Sequence, residues 1–166
     1  MIQENKEYTE SNYVEGSNKM SLVSPLITEL PKFDPKIKLA ILASGNGSNF
    51  EYIIKSILNK KLNAVISILI VNNPNCLAIN KAIKYNIPYL IINHRDCISR
   101  SDHDKLITNK LEEYKIELVV MAGWMRIAGE KLINTFENRI INIHPSLLPS
   151  FKGIDAIQQA IDKKVT

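Results

Sequence analysis

The sequence predicts an α/β domain, a Rossmann-like doubly wound fold around a mostly parallel sheet. Three observations predict it. From Ile37 onward, short apolar runs alternate with segments whose apolar residues recur at helical spacing. The runs are apolar almost throughout, as in strands covered on both faces. A small, glycine-containing loop, Ser44 to Asn49, joins the first run directly to the first helix.

Residues 1–36 stand apart. Met1 to Met20 is rich in Glu, Asn, Ser and Lys and has no sustained period. Such a segment buries too little apolar surface to offset its ordering entropy, so a mostly disordered extension is expected. Its glutamates argue against an organellar transit peptide. Pro25, Pro31 and Pro35 punctuate the join to a domain expected over 37–166.

That domain opens with a strand at Ile37–Ala43. Phe50, Ile53, Ile54, Ile57 and Leu58 then mark a helix, with Ser48 and Glu51 at capping-box spacing. Ala64–Val71 is a second strand. Asn72 to Asn75 turns the chain into a helix around Ile79 to Ile83. Pro88 to Ile92 is a third strand, and a polar loop from Asn93 to Ser101 leads to a helix carrying Leu106, Ile107, Leu111 and Tyr114. Ile116 to Ala122 is a fourth strand, Glu130 to Phe136 a helix, and Arg139 to Ile143 a fifth strand. From Gly153, Ala156, Ile157, Ala160 and Ile161 form one further helical stripe.

Composition narrows the function. The 166 residues are 45% hydrophobic and 23% charged, within the ordinary range for a globular domain. The net charge of +4 comes from scattered lysines, and no dense basic block with aromatics suggests nucleic-acid binding. No apolar run reaches membrane-spanning length, and there is no signal pattern at the N-terminus. Cys76 and Cys97 have no metal-ligand spacing, so no metal site is expected, and they read as thiols of a reducing, cytoplasmic compartment.

Two stretches carry chemistry. Gly45, Asn46, Gly47, Ser48 and Asn49 form a strand-to-helix loop whose backbone can approach an anion at the helix start. A tight turn with no ligand explains the glycines equally well. A dinucleotide site fits less well: the third fingerprint glycine would fall on Phe50, and the second strand ends in Asn72-Asn73 without an acid for a ribose. No Walker lysine follows Ser48, so a single phosphate is the best match. The second stretch is Asn142-Ile143-His144-Pro145-Ser146-Leu147-Leu148-Pro149. Asn142 and His144 share a strand face, and Pro145 keeps His144 extended. An imidazole that moves protons near neutrality beside an amide that holds an oxyanion suits attack on a carbonyl. Met125, Arg126 and Ile127, just past the fourth strand, either line a flat pocket or merely pack a loop. His94 and His103 read as surface residues.

Three motifs in order, Ser44-Gly45-Asn46-Gly47-Ser48-Asn49, Met121-Ala122-Gly123-Trp124-Met125-Arg126-Ile127 and the Asn142–Pro149 stretch, resemble the folate-dependent phosphoribosylglycinamide formyltransferases of purine biosynthesis. The resemblance runs from about Ile37 to the end. It implies transfer of a formyl group from 10-formyltetrahydrofolate to the amine of glycinamide ribonucleotide. It further implies that Gly45 to Asn49, mainly Gly47, Ser48 and Asn49, hold the ribonucleotide phosphate. Arg100, Met125, Arg126, Ile127, Ala128 and Asn142 would contact the folate, and Asn142 and His144 would be the catalytic pair. The partners implied are these two small molecules, with oligomeric state open.

Trp124 and Ala128 depart from the usual residue sizes of that pocket. The aspartate that orients the histidine in that family lies downstream of the Pro-Ser-Leu-Leu-Pro loop, beyond Thr166, and Asp155 and Asp162 are too close to match it. The expectation is therefore a doubly wound domain with its C-terminal part missing and weak or no activity. The alternatives are a formyltetrahydrofolate deformylase, a methionyl-tRNA formyltransferase, a catalytically silent phosphate-binding module, and, least favoured, an NAD-linked oxidoreductase.

Overall fold

The computed structural model describes residues 34–143, 146, 150–151, 153 and 156–164. Nearly all of the extension read as 1–36 lies outside the described residues, as does His144. The elements follow the order expected: β1 (Ile37–Ala43), α1 (Ser48–Leu58), β2 (Ala64–Val71), α2 (Ala78–Lys84), β3 (Tyr89–Ile91), α3 (Arg100–Glu113), β4 (Leu118–Met121), α4 (Glu130–Thr135), β5 (Ile140–Asn142) and α5 (Ala156–Asp162). A single 3-10 turn, His94–Asp96, precedes α3.

The five strands pair in the order β3-β2-β1-β4-β5, and every pairing is parallel. The chain runs outward from β1 to β3, then crosses back to lay β4 on the other side of β1. Helices cover both faces. Phe50, Ile54, Ala78, Ile79 and Ala82 from α1 and α2 pack on Leu39, Ile41, Leu69 and Val71. Ile107, Leu111 and Leu132 from α3 and α4 pack on Ala40, Leu42, Ile68, Ile70, Val119 and Met121. β1 thus feeds both layers with alternate residues, which is why its sequence is apolar throughout. Phe50, where a dinucleotide fingerprint would need glycine, is fully buried in the first layer.

β2 contains an irregularity invisible in its apolar run. Leu39 pairs with Ile66 but Ala40 pairs with Ile68, leaving Ser67 as an extra residue. The slip exchanges the two faces of the strand. Ala64 and Ile66 lie in the first layer before it, and Leu69 and Val71 after it.

Helix starts also differ from expectation. Ser48 and Glu51 do not form a capping box: Gly47 is the N-cap, with no side-chain bond. The box forms on α3, where the Ser99 hydroxyl accepts from the Asp102 N–H at 3.1 Å and donates to its carboxylate at 2.7 Å. That helix begins at Arg100, inside the stretch read as a loop.

Glu51 instead ties α1 to α2. Its carboxylate meets Lys81 at 3.0 Å and Lys55 at 3.3 Å, and accepts from the Tyr85 hydroxyl at 3.3 Å. The hydrogen bond from Lys81, then that from Lys55, lowers its pKa from 4.5 to about 2. A lowered folded-state pKa stabilises the fold above the unfolded value and stops doing so as pH falls through the folded one. Thermal melts of Glu51→Gln beside the wild type should therefore show a gap that is full above pH 4.5 and closes toward pH 2. A gap independent of pH across that window would contradict the Glu51 assignment.

Candidate functional site

Strand register places the candidate residues on one edge. Leu42 on β1 pairs with Met121 on β4, which pairs with Asn142 on β5. The Gly45–Asn49 loop, the Gly123–Ala128 segment and Asn142 therefore leave the sheet from neighbouring C-terminal ends. The winding direction reverses between β1 and β4, and in open α/β sheets the crevice at such a reversal is the usual ligand position.

Ser44 clasps the two segments together. Its N–H donates to the Gly123 carbonyl at 3.1 Å, and its hydroxyl accepts from the Met125 N–H at 2.8 Å. Gly123 has φ of 78°, a conformation that favours glycine and turns the chain back over β1.

The loop rests on the start of α2. The Gly45 carbonyl accepts from the Ala78 N–H at 3.2 Å and from the Cys76 thiol at 2.9 Å. Burial raises the pKa of that thiol, in keeping with a neutral donor. Gly47 has φ of 70°, and a Cβ there would lie 2.7 Å from that of Ala78. Gly47 is thus required by the fold itself. Gly45 is not: its φ is ordinary and a Cβ would meet nothing within 4 Å among the described residues. Open space in front of Gly45 leaves its backbone approachable. Ser48 and Asn49 are exposed at the start of α1. The first amides of that helix have no partner within it, and its dipole favours an anion there.

The segment past β4 alternates. Trp124 and Ala128 turn inward against the second core layer. Met125 and Ile127 are 72% and 71% exposed, as is Ile143 just past β5 at 71%. Large apolar groups at a strand-end rim suit a flat partner. The residues grouped for folate contact line two separate hollows. Met125 and Arg126 border a cleft of about 520 Å³ with Ser44, Asn72, Asn93 and Arg95. Arg100 and Ala128 border another of about 580 Å³, with Asp104, Gly129 and Asn134 between α3 and α4. Asn142 is exposed at the end of β5, and the face it was expected to share with His144 lies outside the described residues.

Buried polar residues of α3 lie close to both hollows, His103 beside His94 of the cleft and Asp104 on the wall of the other. His103, read as a surface residue, is only 2% exposed. Its Nε2 lies 2.9 Å from the Ile92 carbonyl, which only accepts, so that nitrogen carries the proton. Its ring lies parallel to that of Trp124, with centroids 6.1 Å apart, and edge-on to His94 at 6.2 Å. Asp104 is 5% exposed and accepts the Gly129 N–H, while burial pushes its pKa up. His103, Ile107 and Leu111 are spaced four apart, so extending the helical stripe backward one turn would have placed His103 inside. Asn72, just past β2, is also buried, and its Oδ1 has no hydrogen-bond partner among the described residues. Among the described residues, no group of three or more His, Cys, Asp or Glu could hold a metal ion, and no helix is long and apolar enough to cross a membrane.

Comparison with known proteins agrees with this geometry. Residues 37–165 match the formyl transferase family model. The chain is 37% identical over 123 residues to phosphoribosylglycinamide formyltransferase of Bacillus subtilis, covering 74% of this chain and 63% of that protein. It is 40% identical over 131 residues to the human trifunctional purine biosynthetic protein adenosine-3, covering 79% of this chain and 13% of that one. The crystal structure of phosphoribosylglycinamide formyltransferase from Bacillus halodurans superposes with a TM-score of 0.74 at 38% identity, covering 77% of this chain and 66% of that one. The chain thus spans somewhat under two thirds of the Bacillus subtilis relative's length.

The two loop glycines give a separable test. Gly47→Ala combines a left-handed backbone with overlap on Ala78, and should cost about 2–4 kcal/mol in denaturant unfolding. Gly45→Ala should stay within about 0.5 kcal/mol of wild type. Equal losses for the two variants would refute the division of roles.

Proposed function

The chain belongs to the formyl transferase family, and on that premise we propose that it takes part in formyl transfer from 10-formyltetrahydrofolate to the amine of glycinamide ribonucleotide, in purine biosynthesis and in the cytoplasm. The observation that carries this reading is the shared edge: Leu42, Met121 and Asn142 in register, with the phosphate loop clasped to the apolar rim through Ser44.

In this reading the ribonucleotide phosphate sits on Gly45, Asn46, Gly47, Ser48 and Asn49. Its charge meets the free amides and positive dipole end of α1, and the space before Gly45 lets the backbone come close. The folate supplies the formyl carbon. Met125 and Ile127 offer apolar surface to its flat ring, with Arg126 and Ala128 beside them and Arg100 supplying a cation.

The glycinamide nitrogen attacks the formyl carbon, forming the new C–N bond. The Asn142 amide donates to the oxygen on which negative charge develops. His144, protonated, stabilises the same oxygen. The imidazolium gives its own proton to the departing folate nitrogen as the old C–N bond breaks, and the neutral ring then takes up the proton lost by the amine, directly or through water. The products are formylglycinamide ribonucleotide and tetrahydrofolate. No metal enters the scheme.

Transfer of labelled formyl to glycinamide ribonucleotide tests the reading. His144→Ala and Asn142→Ala should each lower turnover on the order of 10²-fold or more. Gly45→Ala should raise KM for the ribonucleotide and leave kcat nearly unchanged. Turnover unaltered in His144→Ala would remove that residue from the mechanism, and a wild-type chain that neither transfers formyl nor binds the ribonucleotide or the folate would sink the reading.

A further inference from the structure

Asp104 is a buried carboxylate that the formyl-transfer scheme does not use. It lies one turn after Arg100 on α3, so the two share a helix face and line the same hollow. Across that hollow stands Gly129, the residue after Ala128 and the N-cap of α4. The Gly129 N–H donates to the Asp104 carboxylate. The contact is close enough that a Cβ on residue 129 would overlap the Asp104 carboxylate oxygen and stand 2.9 Å from its Cγ. Only glycine admits the carboxylate here. Arg100, Arg126 and His103 are near enough to act electrostatically on this carboxylate. The Thr108 hydroxyl, donating to the Asp104 carbonyl at 2.7 Å, completes the buried polar patch.

Burying a carboxylate is unfavourable, and an apolar residue at this depth would pack without that cost. What the carboxylate gains is a fixed hold on the end of the Met125–Ala128 segment. Ser44 fixes the beginning of that segment through the Met125 N–H, and Gly129 fixes its end. Between the two anchors, the segment presents Met125 and Ile127 outward and keeps Ala128 against the core.

We propose that Asp104 is the positioning residue for the folate half of the site: by holding Gly129 it sets the path of Met125–Ala128 and the distance of that segment from Arg100. This rests on the folate assignment made above and adds a residue to it. Asp104 touches no reacting atom. Its effect should fall on folate affinity and on the order of the rim, and leave the phosphate loop on the far side of Ser44 unchanged.

The test uses the 166-residue chain with two probes, tetrahydrofolate and inorganic phosphate, each titrated by calorimetry. Acrylamide quenching of Trp124, the one tryptophan of the chain, reports the order of the segment without any ligand. Asp104→Ala should weaken tetrahydrofolate about tenfold, the worth of one charge-assisted hydrogen bond. It should leave phosphate affinity unchanged and raise Trp124 quenching. Asp104→Asn keeps an oxygen for the Gly129 N–H and should recover most of the loss. Wild-type affinity for tetrahydrofolate in Asp104→Ala would overturn the proposal. So would an equal loss of phosphate affinity, which would make Asp104 a general fold residue. If the wild type binds no tetrahydrofolate, the folate reading fails and this proposal loses its ligand. Unchanged Trp124 quenching in Asp104→Ala overturns the anchor alone.

Discussion

The two hydrogen bonds of Ser44 hold the candidate site together. β1 and β4 are far apart in sequence and adjacent in the sheet, and the ladder between them ends at Leu42 and Ala122. Ser44 extends that pairing beyond the strands, giving its N–H to Gly123 and receiving the Met125 N–H on its hydroxyl. A backbone ladder alone would let the two loops diverge where the strands stop. The clasp ties the Gly45–Asn49 loop to the apolar rim of Met125 and Ile127, at the point where the winding of the sheet reverses.

Around that clasp, glycine positions divide into two kinds. Gly47, Gly123 and Gly129 answer to the fold: a left-handed turn against Ala78, a left-handed turn after β4, and a place for the Asp104 carboxylate. Among the described residues Gly45 answers to nothing, since both its conformation and its surroundings would accept a side chain. A residue small without structural reason, at the rim of a strand-end crevice, is what close approach by a ligand requires. The same distinction separates the α3 polar residues. His103 and Asp104 are satisfied by Ile92 and Gly129, so they shape the walls, whereas Asn142 stands open at the end of β5.

The strands were legible in the sequence because each central one is covered on both faces and so is apolar along its length. That they form a parallel, doubly wound sheet followed from their alternation with helical stripes and from right-handed crossovers. The Ser67 slip was not legible, because a strand apolar on both faces reads the same in either register. The box read at Ser48 and Glu51 does not form because the N-cap is Gly47, one residue before Ser48, and because Glu51 pairs with Lys81 on another helix, a partner that local spacing does not reveal. His103 was misread because a polar side chain breaks the apolar stripe, although its spacing to Ile107 and Leu111 continues it. For the site, the motifs located Gly45 to Asn49, Met125 to Ala128 and Asn142 on one edge. They did not separate the hollow of Arg100 and Ala128 from the cleft of Met125 and Arg126, because that division depends on how α3 packs beside the segment past β4, which local spacing does not reveal.

Amide hydrogen exchange at Met125 addresses the clasp most directly, since this amide belongs to no strand or helix and its one acceptor is the Ser44 hydroxyl. Protection of a hydrogen-bonded amide reflects the free energy of opening its bond. With Ser44 holding the segment, the Met125 amide should exchange slowly in the wild type, in the range of β4 amides such as Met121, and should become loop-like in Ser44→Ala while β4 stays protected. Exchange at the rate of an open loop in the wild type, or protection unchanged in Ser44→Ala, would contradict the account.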